Sequence, residues 1–97
     1  MQASSRAPAS PGGFQGGPGI QVRDLDGEIV ALDTRSNRIH QLNGVASLIW
    51  RLATEGGSPE AIVEAVVSRH DVERDVASKD VGETLERMRS LGLLAVK

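Results

Sequence analysis

The feature that most restricts this chain is a change of hydrophobic period at Asn43. From Ile20 to Leu42 apolar residues alternate with polar ones or form a short β-branched run; beyond Asn43 they recur every three or four positions. The first pattern suits strands with one buried face and the second suits amphipathic helices. Strands gathered before helices point to the α+β class rather than to alternating βαβ units. At 97 residues one such domain fits, because a second core is rarely filled in a chain below roughly 150 residues.

Local signals set the expected boundaries. Ile20 and Val22 alternate with polar neighbours, Asp26-Gly27 has two-residue hairpin chemistry, and Ile29 to Leu32 is β-branched and apolar, so strands are predicted over 20–25 and 28–32. The turn-rich run DTRSN then leads to a third strand over 38–42. Asn43 stands where an N-cap is wanted, and Val45, Leu48, Ile49 and Leu52 predict a helix over 44–53. Gly56-Gly57 closes that segment. Ser58, Pro59 and Glu60 then supply a capping hydroxyl, a first-turn proline and a carboxylate for a second helix over 59–69.

Residues 70–77 lack an apolar period and read as a loop, whereas Asp80 and Glu83 have capping-box spacing. The third helix is therefore expected over 80–91, with Val81, Leu85, Met88 and Leu91 on one face and Gly92 as its left-handed stop. The expected architecture is a three-stranded antiparallel sheet followed by three helices, winged helix-turn-helix-like in order. Three of the four prolines and five of the eleven glycines fall in residues 1–19. That composition buries too little apolar area to offset chain entropy, so 1–19 is expected to be a disordered tail and 20–97 the folded domain.

Composition removes several kinds of chemistry. Without cysteine there are no disulfides, thiolate nucleophiles or Cys-ligated metals. His40 and His70 lie thirty apart with no ligand at helical spacing, so no metal site is expected. No phosphate-cradling glycine loop or nucleophile-elbow motif is present, and Asp24, Asp26, Glu28 and Asp33 border turns, where carboxylates are usually solvated. A catalyst acting alone and a bound cofactor are both unexpected. No run reaches the ~18 apolar residues of a membrane span and no signal peptide is apparent, which makes the cytoplasm the expected location. Trp50, the single tryptophan, is expected to pack at the core rather than to stack on a ligand.

The second and third helices leave a winged-helix nucleic-acid-binding regulator as an alternative. Charge argues against it: the chain carries 11 Lys plus Arg against 13 Asp plus Glu, a net charge of -2, and the segment from Lys79 to Leu91 is balanced in sign. A subunit that merely stabilises a partner enzyme is a third reading.

One set of residues resembles a known family. His40-Gln41-Leu42-Asn43, Ala46, Ile49-Trp50, Leu52, Gly56 to Ser58, Glu60-Ile62-Val63, Asp80-Val81, Leu85 and Leu91-Gly92-Leu93-Leu94 follow, in order and spacing, the pattern of the PqqD-like family. The resemblance covers about residues 28–95. It implies a non-catalytic module that recognises the leader of a ribosomally made precursor peptide and presents it to a maturation enzyme, often a radical S-adenosylmethionine enzyme.

The resemblance also implies that the leader adds as a strand beside Arg38, Ile39, His40, Gln41 and Leu42, against a helical wall drawn from Val81, Thr84, Leu85, Arg87, Met88 and Leu91. Strand addition to a free sheet edge is a general mode of peptide recognition. Arg87 suits an acidic leader side chain and Met88 adapts to varied apolar ones. A free edge also allows a homodimer by edge pairing. The pathway, the precursor and the enzyme stay open at this point.

Overall fold

The computed structural model describes residues 13–96. Among the described residues, five strands and three helices follow one another as β1 (Phe14–Gly16), β2 (Ile20–Leu25), β3 (Glu28–Asp33), β4 (Arg38–Gln41), α1 (Gly44–Thr54), α2 (Pro59–His70), α3 (Arg74–Ser90) and β5 (Leu94–Val96). The chain is thus α+β with antiparallel sheets and three helices, as the change of period requires. The sheet, however, is in two parts: β2, β3 and β4 form an antiparallel meander, and β1 pairs separately with β5.

The meander follows from its turns. Asp26 and Gly27 both have positive φ, 56° and 88°, the geometry of a tight hairpin whose twist matches its strands. Asp24 Oδ1 accepts the Gly27 amide at 2.8 Å and fixes the turn from below. At the next turn the Asp33 carboxylate accepts the amides of Arg35 and Ser36. These hydrogen bonds, the one from Arg35 first, hold its carboxyl below the usual carboxylate range and outweigh the burial that would raise it.

Along β3 the residues alternate, with Ile29, Ala31 and Asp33 buried and Val30 and Leu32 half-buried. Ile29 and Ala31 face the helices. There Ala31 joins Leu48, Ile49 and Ala53 of α1, Ile62 and Val66 of α2, and Ala77, Val81, Leu85 and Met88 of α3 in one core cluster, closed off by Leu93 and Leu94. The caps of α1 and α2 are as expected: Asn43 accepts from the Ala46 amide at 2.8 Å and Ser58 from the Ala61 amide at 3.1 Å.

Two expectations need correction. The third helix starts at Arg74, six residues before Asp80, so 74–77 is helical rather than loop and Asp80 and Glu83 lie inside the helix instead of capping it. The reason is Ala77, which is fully buried and opens the stripe continued by Val81, Leu85 and Met88; a lone alanine carries little hydrophobic signal. The N-terminal correction concerns Phe14–Gly16, expected within a disordered tail and found as β1, in register with Gly16 opposite Leu94 and Phe14 opposite Val96. Gly17 is buried there, its amide donating to the Leu93 carbonyl at 3.1 Å, and a Cβ at Gly17 would run into the Gly92 carbonyl. The remainder of the expected tail, residues 1–12, lies outside the described residues.

Gly92 ends α3 as anticipated. Its φ of 80° is left-handed, and the Leu93 amide reaches back to the Met88 carbonyl at 2.9 Å while the Gly92 amide bonds the Arg89 carbonyl at 3.1 Å. This pair of bonds is a Schellman ending, and it turns the chain sharply enough to send β5 back beside β1. Trp50 completes the corner. Its indole Nε1 donates to the Leu93 carbonyl at 3.0 Å, so the half-buried ring packs as a structural side chain beneath β1.

Candidate functional site

Antiparallel strands bond through every second residue pair, and the intervening residues point their backbone groups the other way. The Leu42 amide donates to the Ile29 carbonyl at 2.8 Å. With Ala31 opposite His40 and Asp33 opposite Arg38, the inward-bonding residues of β4 are therefore Arg38, His40 and Leu42. Ile39 and Gln41 present their N–H and C=O groups outward. No strand pairs with that side of β4 among the described residues.

The edge is held by a side chain from the first helix. Ser47 is fully buried; its Oγ accepts the Ile29 amide at 2.8 Å and donates to the Leu42 carbonyl at 3.0 Å. A hydroxyl thus stands in for one rung of the β3–β4 ladder at the point where the strands diverge. It also ties α1 to the sheet, since the serine is on one and the two backbone groups are on the other.

Facing β4 across a groove of about 650 Å³ is α3. The two elements run in opposite directions. A Cβ at Gly44, just past β4, would lie 3.7 Å from His70 at the end of α2, while a Cβ at Gly92, just past α3, would lie 3.8 Å from Arg35 in the turn before β4. The groove wall on α3 is the stripe Asp80, Thr84, Arg87, Met88 and Leu91, and the opposite wall is Ile39 to Asn43 with Val45 and Ala46. Met88 is 3% exposed and floors the groove, whereas Leu91 and Ile39 are 43% and 69% exposed at its mouth.

Most residues expected at the site from the sequence therefore meet on one groove: Ile39, His40, Gln41, Leu42, Thr84, Arg87, Met88 and Leu91. Three do not line it. Arg38 lies at the start of the strand outside the lining, and Val81 and Leu85 are core residues, 1% and 7% exposed, whose remaining surface opens on a second cleft with Pro59 and Val63. On a helix they sit one position round from Asp80 and Thr84, which turns them toward α2. Sequence reasoning passed over Asp80, Asn43, Val45, Ala46 and Leu93, all of which line the groove. Asp80 carried a signal in its spacing from Thr84 and Arg87, masked by its reading as a cap.

The groove's charges are sparse. Arg89, on the outer side of α3, forks onto Glu86 through three hydrogen bonds of 3.0 to 3.2 Å, and the bonds from Arg89 hold the Glu86 carboxyl below its usual range. Arg87 and Asp80, exposed on the groove side, have no ion-pair partner among the described residues. Nor do the described residues contain a cluster of His, Cys, Asp or Glu able to hold a metal ion. An unpaired strand edge beside a wall of mixed polar and apolar side chains with isolated charges is suited to binding an extended peptide.

Known proteins resemble this chain in sequence and in fold. A family model described as Coenzyme PQQ synthesis protein D (PqqD) matches residues 28–94. The solved structure "Lasso peptide synthetase B1 complexed with the leader peptide" superimposes with a TM-score of 0.77 at 32% identity, over 84% of this chain and 96% of that one. A second, "TbiB1 in Complex with the TbiA(beta) Leader Peptide", gives a TM-score of 0.75 at 29% identity, over 82% and 93% of the two chains. A search of curated proteins finds no significant match. The family match spans well over half of the sequence, from the start of β3 to the first residue of β5, and this chain belongs to the PqqD family.

Proposed function

We propose that this domain recognises the leader of a ribosomally synthesised precursor peptide, binding it as an additional strand on β4, and presents it to a separate maturation enzyme. The observation that carries the reading is the placement of the outward-facing backbone of Ile39 and Gln41 beside the α3 stripe, in a chain whose two structural neighbours were solved with leader peptides. Main-chain bonds to those two residues give affinity without regard to sequence; selection comes from alternate peptide side chains entering the groove between His40, Leu42, Thr84, Arg87, Met88 and Leu91.

The domain acts by positioning rather than by chemistry, and the bonds made or broken in the peptide belong to the maturation enzyme, for which a radical S-adenosylmethionine enzyme is one class. Its helices and strands supply a winged-helix-like frame, with the sheet edge as the reading surface. A nucleic-acid role finds no support: α3 carries Arg74, Lys79, Arg87 and Arg89 against Asp75, Asp80, Glu83 and Glu86, where a recognition helix needs a basic face. Pairing of a second copy on β4 would occupy the same backbone groups, so an edge-paired homodimer and peptide binding compete.

The test is a titration of isotope-labelled protein with the precursor peptide encoded beside its gene. Amides in 38–42 and 84–91 shift on binding under this reading. Shifts confined to other regions, or none at saturating peptide, overturn it.

A further inference from the structure

A free strand edge does not by itself choose a direction. Parallel and antiparallel additions differ only slightly in stability per residue, so a module that must present one end of a peptide to an enzyme needs something else to set polarity. Asp80 and Arg87 are the carboxylate and the guanidinium lining the groove, with His40 on the opposite wall, and they stand two turns apart on α3, about 10.5 Å along its axis at 1.5 Å per residue. Because α3 runs opposite to β4, Asp80 lies toward the Leu42 end of the edge and Arg87 toward the Arg38 end. A peptide antiparallel to β4 enters at the Leu42 end, so its N-terminal half passes Asp80 and its C-terminal half passes Arg87.

We infer that Asp80 and Arg87 are specificity residues that fix the direction of the bound peptide, selecting segments with a basic side chain followed, two or four residues later, by an acidic one. This rests on the strand-addition reading above and names the class of peptide that fits it. Side chains on one face of a strand repeat every ~6.8 Å, so long side chains at either spacing span the two charges. A basic-then-acidic segment laid parallel to β4 sets each charge against its like, and an acidic-then-basic segment satisfies both charges only when parallel, the less stable pairing per residue. Neither groove charge forms an ion pair among the described residues, so binding breaks none of those pairs.

The experiment uses the full chain and a displayed library of random peptides of about a dozen residues, long enough to cover β4 at ~3.4 Å per residue. Wild type and the charge-swapped Asp80→Lys/Arg87→Glu protein are panned in parallel. Enriched peptides are then checked for protection of the Ile39 and Gln41 amides. The inference predicts a basic-then-acidic order on wild type and the opposite order on the swapped protein. It also predicts, for one enriched sequence and its charge-reversed counterpart, affinities differing on the order of tenfold at low salt, a preference that falls toward unity in Asp80→Asn/Arg87→Gln. Enriched peptides that protect Ile39 and Gln41 but show no charge order, or the same order on both proteins, overturn this inference and leave strand addition standing. If no enriched peptide protects those amides, strand addition fails and the inference falls with it.

Discussion

Ser47 shows how much of this small fold depends on single polar atoms. Its hydroxyl joins the Ile29 amide to the Leu42 carbonyl at a fully buried position, so Ser47→Ala strands a donor and an acceptor together. We expect a loss of about 1–3 kcal/mol in chemical denaturation, a change little different from wild type being the contrary result. Asp33 makes a pH-dependent contribution. Its folded-state pKa is lowered, chiefly by the Arg35 amide, so the stability it confers is complete above the ordinary carboxylate value of about 4 and disappears as pH falls through the folded value. Denaturation midpoints of Asp33→Asn should therefore decline less steeply than those of wild type below that pH; parallel acid limbs would contradict the assignment. Residues of this kind differ in how far sequence reveals them. Asn43 and Ser58 were legible as caps because a cap acts on amides two or three positions away, whereas the partners of Ser47 include a strand residue 18 positions distant, and nothing local marks it.

Among the elements, β4 and α3 line the proposed site, and they were read with unequal success. The extent of β4 follows from its turn and its cap, and the alternation of its backbone follows from the register. The start of α3 was misplaced because Ala77 is too small to register as the first buried residue of a stripe, and that error in turn gave Asp80 a capping role in place of its position on the groove wall. For Val81 and Leu85 the apolar period correctly indicated burial but not which neighbour they face, α2 or the groove. The open edge itself can be tested by proline. Gln41→Pro removes an N–H that bonds nothing within the sheet, and proline is tolerated on an edge strand with its nitrogen facing outward. Gln41→Pro is expected to keep the native circular dichroism spectrum while losing at least about tenfold in peptide affinity; undiminished affinity would place the peptide elsewhere.

At the level of the molecule, the ends of the described chain close on each other. β1 pairs with β5, the Leu93 carbonyl accepts from both Gly17 and Trp50, and Phe14 packs against the core. This closure was invisible in the sequence because Phe-Gln-Gly, set in a glycine-rich run, has no strand signal of its own and its partner is some eighty residues away; only the assembled core makes it a strand. It also places Phe14–Gly16 on β5 rather than on β4. Phe14→Ala should lower stability by about 1–2 kcal/mol in a thermal melt yet leave peptide affinity unchanged, and a parallel loss of affinity would tie β1 to the site. The central claim, that a foreign backbone completes the sheet on β4, is tested most directly by hydrogen exchange at Ile39, His40 and Gln41 in the free and peptide-saturated protein. The account predicts slow exchange at His40 and fast exchange at Ile39 and Gln41 in the free protein, with both of the latter becoming protected when peptide is bound. Amides of Ile39 and Gln41 already protected in the free monomer, or still exchanging freely at saturation, would contradict it.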